Sequence, residues 1–149
     1  MKAFISLILF LAMTSFAQAE LTIISTEHRD ADSFKRLSEY LTGKRSDGRY
    51  SVLRTLPESR DGFYISLKSE SKETPASTDK VVLSFVRPGT QEIETRVFEQ
   101  AKLSKKRILV GLTGEQWSQA DSWPVAWKVE FFDADETLLD SVTSFLWSE

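Results

Sequence analysis

The sequence predicts a mostly β fold, an antiparallel sandwich of two sheets of the immunoglobulin-like kind, with one short amphipathic helix near the N-terminus. From Tyr50 onward, apolar and polar residues alternate with a period of two. Turn signals separate these segments at intervals of about 8–12 residues, and consecutive segments of this kind favour hairpins over βαβ units. The alternative is an α+β fold in which a helix covers one face of an antiparallel sheet.

The composition indicates a single globular domain. The chain has 149 residues, 41% of them hydrophobic and 28% charged, and its net charge is −3. A chain of this length can bury enough surface for one core. It contains no cysteine, which excludes disulfides, thiolate-bound metals, thiol catalysis and a lipid-modified N-terminal cysteine.

Residues 1–19 have the pattern of a cleavable signal peptide. Lys2 supplies a positive start, an apolar run extends to Phe16, and Ala17-Gln18-Ala19 is a small-x-small cleavage site. The apolar run is shorter than the roughly 20 residues of a membrane-spanning helix. We therefore expect a single mature domain, residues 20–149, that is periplasmic or secreted, is not inserted in the membrane and is not a lipoprotein.

The expected strands follow from local pattern. The first is rich in β-branched residues, and the fourth is apolar on both faces, which is typical of a central strand. Pro88-Gly89 ends the fourth strand in a turn, because proline fixes φ and glycine accepts a positive φ. The eight expected strands are 21–27, 49–55, 63–69, 80–87, 92–99, 107–112, 124–131 and 137–147.

The helix is expected over residues 30–43. Phe34, Leu37 and Leu41 recur at helical spacing, and Gly43 suits the position after the last helical residue. The opposite face is not strongly basic, so the sequence predicts that this apolar stripe packs on a sheet instead of lying on a membrane.

The period of the strands also predicts the core. In each strand, the apolar residues at alternate positions should face the other sheet and be buried together. The expected core residues are Phe63, Ile65, Leu83, Phe85, Trp127, Val129 and Phe131.

The candidate binding site is the loop 113–122, which has no apolar period and runs directly into a tryptophan. An aromatic anchor among polar groups is the usual composition of a binding hot spot. Two interpretations stay open, contact with a ligand or closure of the open end of the sandwich, and the first predicts that Trp117→Ala leaves stability within about 1 kcal/mol. The candidate binding residues are Trp117, Trp123, Gln116, Gln119 and Asp121.

No pattern for catalysis is present. The chain lacks a Gly-x-Ser-x-Gly elbow, an HExxH motif, a P-loop and a dinucleotide fingerprint. The only imidazole is that of His28, and the carboxylates at 133, 135, 136 and 140 lack EF-hand spacing and suit a solvated turn. We therefore expect no catalytic residue, no metal site and no cofactor.

A well-patterned β scaffold without a catalytic motif favours a binding function, and the charge along the chain is unevenly distributed. Residues 115–149 carry eight acidic side chains against Lys128 alone, an acidic surface that could dock a basic partner. The acidic balance and the exported address argue against nucleic acid. The leading hypothesis is a non-enzymatic interaction module of the cell envelope that contacts another protein. Carbohydrate binding through the loop tryptophans is the alternative, and a hydrolase that uses Asp133 and Asp135 or His28 is the third.

Overall fold

The computed structural model describes residues 20–147, so the expected signal peptide lies outside the described residues. In this described part of the chain, eight strands form two four-stranded sheets that enclose the core, an arrangement consistent with a β-sandwich. The elements are β1 (Leu21–Arg29), α1 (Leu37–Thr42), β2 (Tyr50–Arg54), β3 (Gly62–Ser69), α2 (Glu73–Ser77), β4 (Lys80–Val86), β5 (Ile93–Phe98), β6 (Arg107–Thr113), β7 (Ala126–Phe132) and β8 (Leu138–Thr143).

One strand pair departs from the antiparallel pattern. The strand order is β1-β3-β6-β2 in the first sheet and β5-β4-β7-β8 in the second, and β2 pairs with β6 in parallel. Because β1 and β2 lie at opposite edges of the first sheet, residues 30–49 must cross its outer face to join them. Phe34 anchors this crossing segment by packing against Tyr64, at 4.9 Å between ring centroids, and Leu109.

The core between the sheets confirms the predicted phase of the strands. All seven residues expected from the sequence are buried in one cluster, to which β3 and β6 contribute from the first sheet and β4 and β7 from the second. Leu67, Ile108, Val110 and Leu112 complete the same layer.

The helix prediction is wrong in extent and in packing. Residues 30–43 form a 3-10 turn and then the six-residue α1, because Lys35 between them is extended, with φ −68° and ψ 130°. The 3-10 turn and α1 therefore do not form one continuous helix. Phe34 is buried, but Leu37 and Leu41 are 75% and 78% exposed, so the predicted stripe does not pack as a unit.

The segment between β3 and β4 contains α2. Pro75 is buried in the first turn of this helix, where a missing backbone N–H is tolerated. The Glu20 carboxylate accepts hydrogen bonds from the hydroxyls of Ser71 and Thr74. These contacts hold the beginning of the described chain against α2 and the residues just before it.

Candidate functional site

Trp117, the proposed stacking ring of the loop, is fully buried. The Trp117 and Phe85 rings pack edge-on, with 5.5 Å between their centroids. The Arg87 guanidinium lies 4.2 Å from the centroid of the Trp117 ring. The ring is part of the core cluster. The expectation that Trp117 presents an accessible face to a ligand is therefore wrong, because the sandwich uses this side chain to fill its interior.

Trp123 is half-buried and packs against the core cluster that contains Trp117. Its indole N–H donates to the Trp117 carbonyl oxygen at 3.2 Å. His28 lies parallel to its ring at 6.2 Å, and Phe63 is tilted against it at 5.7 Å. His28 in turn contacts Asp61, at 2.8 Å between Nε2 and Oδ1. These contacts hold the ring against the first sheet and leave it little free surface for stacking.

The polar members of the predicted site do not surround an exposed ring. Gln116, Gln119 and Asp121 are exposed. Gln116 and Asp121 lie in two short 3-10 turns, over Glu115–Trp117 and Ala120–Ser122, and Gln119 directly precedes the second. The structure thus brings Trp117 and Trp123 together through a hydrogen bond, but on the inner side of the loop. What remains accessible here is a polar surface without an aromatic anchor.

The acidic residues of the last hairpin have structural roles. Asp133 Oδ1 accepts the backbone N–H groups of Asp135 and Thr137, both at 2.9 Å, which shapes the turn. Asp140 Oδ2 accepts the backbone N–H groups of Glu20 and Leu21, also at 2.9 Å. Within residues 20–147, no group of three histidine, aspartate or glutamate side chains is placed to hold a metal ion.

A different feature, the outer side of β5, has the properties of an interaction surface. Among residues 20–147, β5 is an edge strand of the second sheet, and one side of its backbone has no partner strand there. Ile93 and Val97 are 62% and 50% exposed on its outer face. Ile93 also lines a neighbouring groove of about 310 Å³. The groove is lined by Val86, Thr90, Gln91, Ile93, Val125, Ala126, Leu146 and Trp147.

The inner side of β5 is charged. Glu94 accepts a hydrogen bond from Arg87, and the Arg96 guanidinium lies 3.5 Å from the same carboxylate. Arg96 also lies 5.5 Å from the centroid of the Phe85 ring. Charges on the inner side of an edge strand cover the core and restrict which strand can pair there. Sequence alternation predicted this strand, but nothing in it indicated that the strand lies at an edge.

The crossing segment is fastened to the first sheet by a nearly buried ion pair. Arg60 donates to both carboxylate oxygens of Glu39, at 3.0 and 2.6 Å, and the Ser46 backbone N–H donates to one of them at 2.7 Å. These hydrogen bonds lower the pKa of Glu39 from 4.5 to about 2, and those from Arg60 have the largest effect.

This lowered pKa predicts a pH dependence of stability. The carboxylate is favoured in the folded state, so its contribution is complete above pH 4.5 and is lost as the pH falls towards 2. We expect the free energy of unfolding of the wild type to fall more steeply across this range than that of Glu39→Gln. Urea titrations at a series of pH values measure both. Glu58→Gln, which removes an exposed carboxylate nearby, is the control, and parallel curves for wild type and Glu39→Gln would contradict the prediction.

Comparison of the chain with protein-family models, curated proteins and solved structures found no match. In the part of the chain that the structure describes, neither helix has the length and apolar character needed to cross a membrane. Inference about function therefore depends on the surfaces described above.

Proposed function

We propose that this protein is an exported, non-enzymatic interaction module of the cell envelope, and that it binds an extended segment of another protein along β5. The observation that supports this most is the combination of an unpaired strand edge with an adjoining apolar groove. Such an edge can accept a further strand, in which main-chain hydrogen bonds supply affinity and side-chain pockets supply specificity.

The chemistry of β5 defines the partner. A segment paired with β5 would cover Ile93 and Val97 on the outer face, so it needs apolar residues at alternate positions. On the inner face, the bound segment lies beside Glu94 and Arg96. An antiparallel partner would therefore match these charges with a basic residue opposite Glu94 and an acidic residue opposite Arg96. Exposed apolar surface of this kind, next to polar residues, is typical of protein contact sites.

The immunoglobulin-like assignment is part of the same proposal. Two four-stranded sheets around one core support it. The parallel β2–β6 pair and the crossing segment are departures from a fold built only of antiparallel hairpins. The export signal rests on the sequence pattern of residues 1–19 alone.

Carbohydrate binding, the earlier alternative, loses its main support. Sugar rings stack on exposed aromatic faces, and Trp117 offers none. A hydrolase is likewise less favoured, because Asp133 is engaged by backbone N–H groups of its own turn and His28 by Asp61. Neither class gains a specific observation from the structure.

The test is site-specific cross-linking in the exporting cell, followed by binding measurements. A photoreactive residue at Val97 should yield an adduct with a second protein, whereas one at Leu138, on the opposite edge of the same sheet, should not. Binding of the purified partner should weaken at least about tenfold in the Ile93→Lys/Val97→Lys variant, since the apolar anchors of an interface supply most of its affinity. Both substitutions are on exposed positions, so the fold should be retained.

Ile24→Lys/Leu138→Lys is the matched control, because these two residues are about as exposed, at 50% and 49%, and lie on other edge strands. It should bind the partner as the wild type does. An adduct only with a second copy of this chain, no adduct at Val97, or equal weakening by both variants would each overturn the proposal.

A further inference from the structure

A cluster of basic residues lies at the end of the first sheet where β6 begins, remote from the β5 groove. Lys105 and Lys106 precede β6, Arg49 precedes β2, and Lys72 follows β3. Their side chains line a cavity of about 380 Å³, here called the basic cavity. The lining residues are Gly48, Arg49, Lys72, Ser104, Lys105, Lys106 and Arg107.

Among the described residues, no acidic side chain lines the basic cavity. None of its five cationic side chains is in an ion pair within the described residues. The chain as a whole has a net charge of −3, so this concentration of positive charge has the opposite sign to the average surface. Mutual repulsion of like charges opposes such an arrangement, and an anion in the cavity would relieve it.

The backbone around the basic cavity is held in place. The buried Ser51 hydroxyl accepts the backbone N–H groups of Ser104 and Lys105, both at 3.0 Å. Lys106 Nζ donates to the Glu70 carbonyl oxygen at 2.9 Å. The loop that carries the lysines is therefore anchored to β2 and β3 and does not have to be ordered by a ligand.

Further cations lie around the rim. Lys68 on β3 is the direct cross-strand neighbour of Arg107. The Arg36 guanidinium lies so close to Gly48 that a Cβ built on this glycine would be 2.2 Å from Arg36 Cζ. Gly48 has a φ of +62°, a conformation that also favours glycine. The close approach of Arg36 adds positive charge beside the cavity.

We propose that the basic cavity binds a ligand that carries clustered phosphate groups. Arginine and lysine side chains recognise phosphate oxygens through charge-assisted hydrogen bonds, and several phosphates are needed to engage cations on three separate chain segments. Such a ligand can be a free polyphosphorylated molecule or the headgroups of an anionic lipid surface. This inference is independent of the β5 site.

The experiment measures binding of the mature domain to two probes. Calorimetry with tripolyphosphate tests a free ligand, and co-sedimentation with phosphatidylcholine vesicles, with and without phosphatidylglycerol, tests a lipid surface. We expect wild-type binding to at least one probe, weakening as salt is added. The Arg49→Gln/Lys105→Gln variant should bind roughly tenfold or more weakly, because each change removes a charged hydrogen-bond donor.

Lys44→Gln/Arg45→Gln is the matched control, since it also removes one lysine and one arginine from exposed positions, but outside the basic cavity. It should bind as the wild type does. Binding of tripolyphosphate identifies a free ligand and binding only of the anionic vesicles identifies a lipid headgroup, provided that the Arg49→Gln/Lys105→Gln variant is impaired. Absence of binding to both probes, or equal loss in the two variants, overturns the proposal.

Discussion

Trp117→Ala is expected to lower the free energy of unfolding by roughly 3–5 kcal/mol, the range for removal of a large core aromatic side chain. The indole is fully buried, meets Phe85 edge-on and lies under the Arg87 guanidinium. Its removal would leave a cavity between the sheets that backbone-paired strands cannot close. Urea denaturation of purified variants measures the loss. This expectation reverses the one that follows from treating Trp117 as a ligand contact.

Two further variants make this prediction specific. The Trp117 indole N–H is buried without a hydrogen-bond partner in the described residues. Trp117→Phe keeps an aromatic ring and removes this unpaired donor, so it should cost clearly less than Trp117→Ala. Tyr40→Ala removes an exposed aromatic residue on α1 and should change stability by less than about 0.5 kcal/mol. A loss below about 1 kcal/mol for Trp117→Ala would show that the ring does not fill the core.

The second large effect is expected where Tyr64 covers Gly111 on the outer face of the first sheet. These residues are direct cross-strand neighbours, and a Cβ built on Gly111 would lie 2.5 Å from Tyr64 Cε1. The Tyr64 hydroxyl donates to the Arg60 carbonyl oxygen at 2.7 Å and accepts from Arg54 Nε at 2.8 Å. The ring is fully buried. It therefore has no free space into which it could move away from a new methyl group.

From this geometry, Tyr64→Ala should cost roughly 3–5 kcal/mol and Gly111→Ala roughly 1–3 kcal/mol, the first by a cavity and the second by overpacking. The double variant should cost less than the sum, because the alanine methyl at position 111 partly fills the space that the tyrosine ring leaves. Denaturant titrations of the four proteins complete the cycle. Additive costs would contradict the direct contact between this side chain and this glycine.

Local pattern was enough to locate every strand in residues 20–147 to within a few positions, and to identify the inward phase of the core strands. The reason is that a strand with one buried face must alternate with a period of two. Trp127, Val129 and Phe131 show this alternation plainly, and all three are buried. The turn at Pro88-Gly89 could also be predicted from local pattern, because glycine accepts the positive φ that such a turn needs. In the structure, Gly89 has a φ of +77°.

The tertiary structure alone decided which elements meet. Helical spacing in residues 30–43 could not show that the chain becomes extended at Lys35. This break belongs to the path by which the chain crosses the sheet and places β2 beside β6, and that path depends on long-range packing. The loop pattern around Trp117 is the same for a ligand contact and for a core residue, and only the neighbouring Phe85 and Arg87 distinguish them.

The same limit applies to the two proposed sites. Alternation within β5 does not reveal that the strand lies at an edge of its sheet in residues 20–147, because strand order depends on pairings between residues distant in the chain. The basic cavity combines Arg49, Lys72 and the 105–107 segment, which are separated in sequence and meet only where β2, β3 and β6 lie side by side. Periodicity therefore determined the elements and the buried faces, whereas long-range packing decided the edges, the cavities and the accessible surfaces on which function depends.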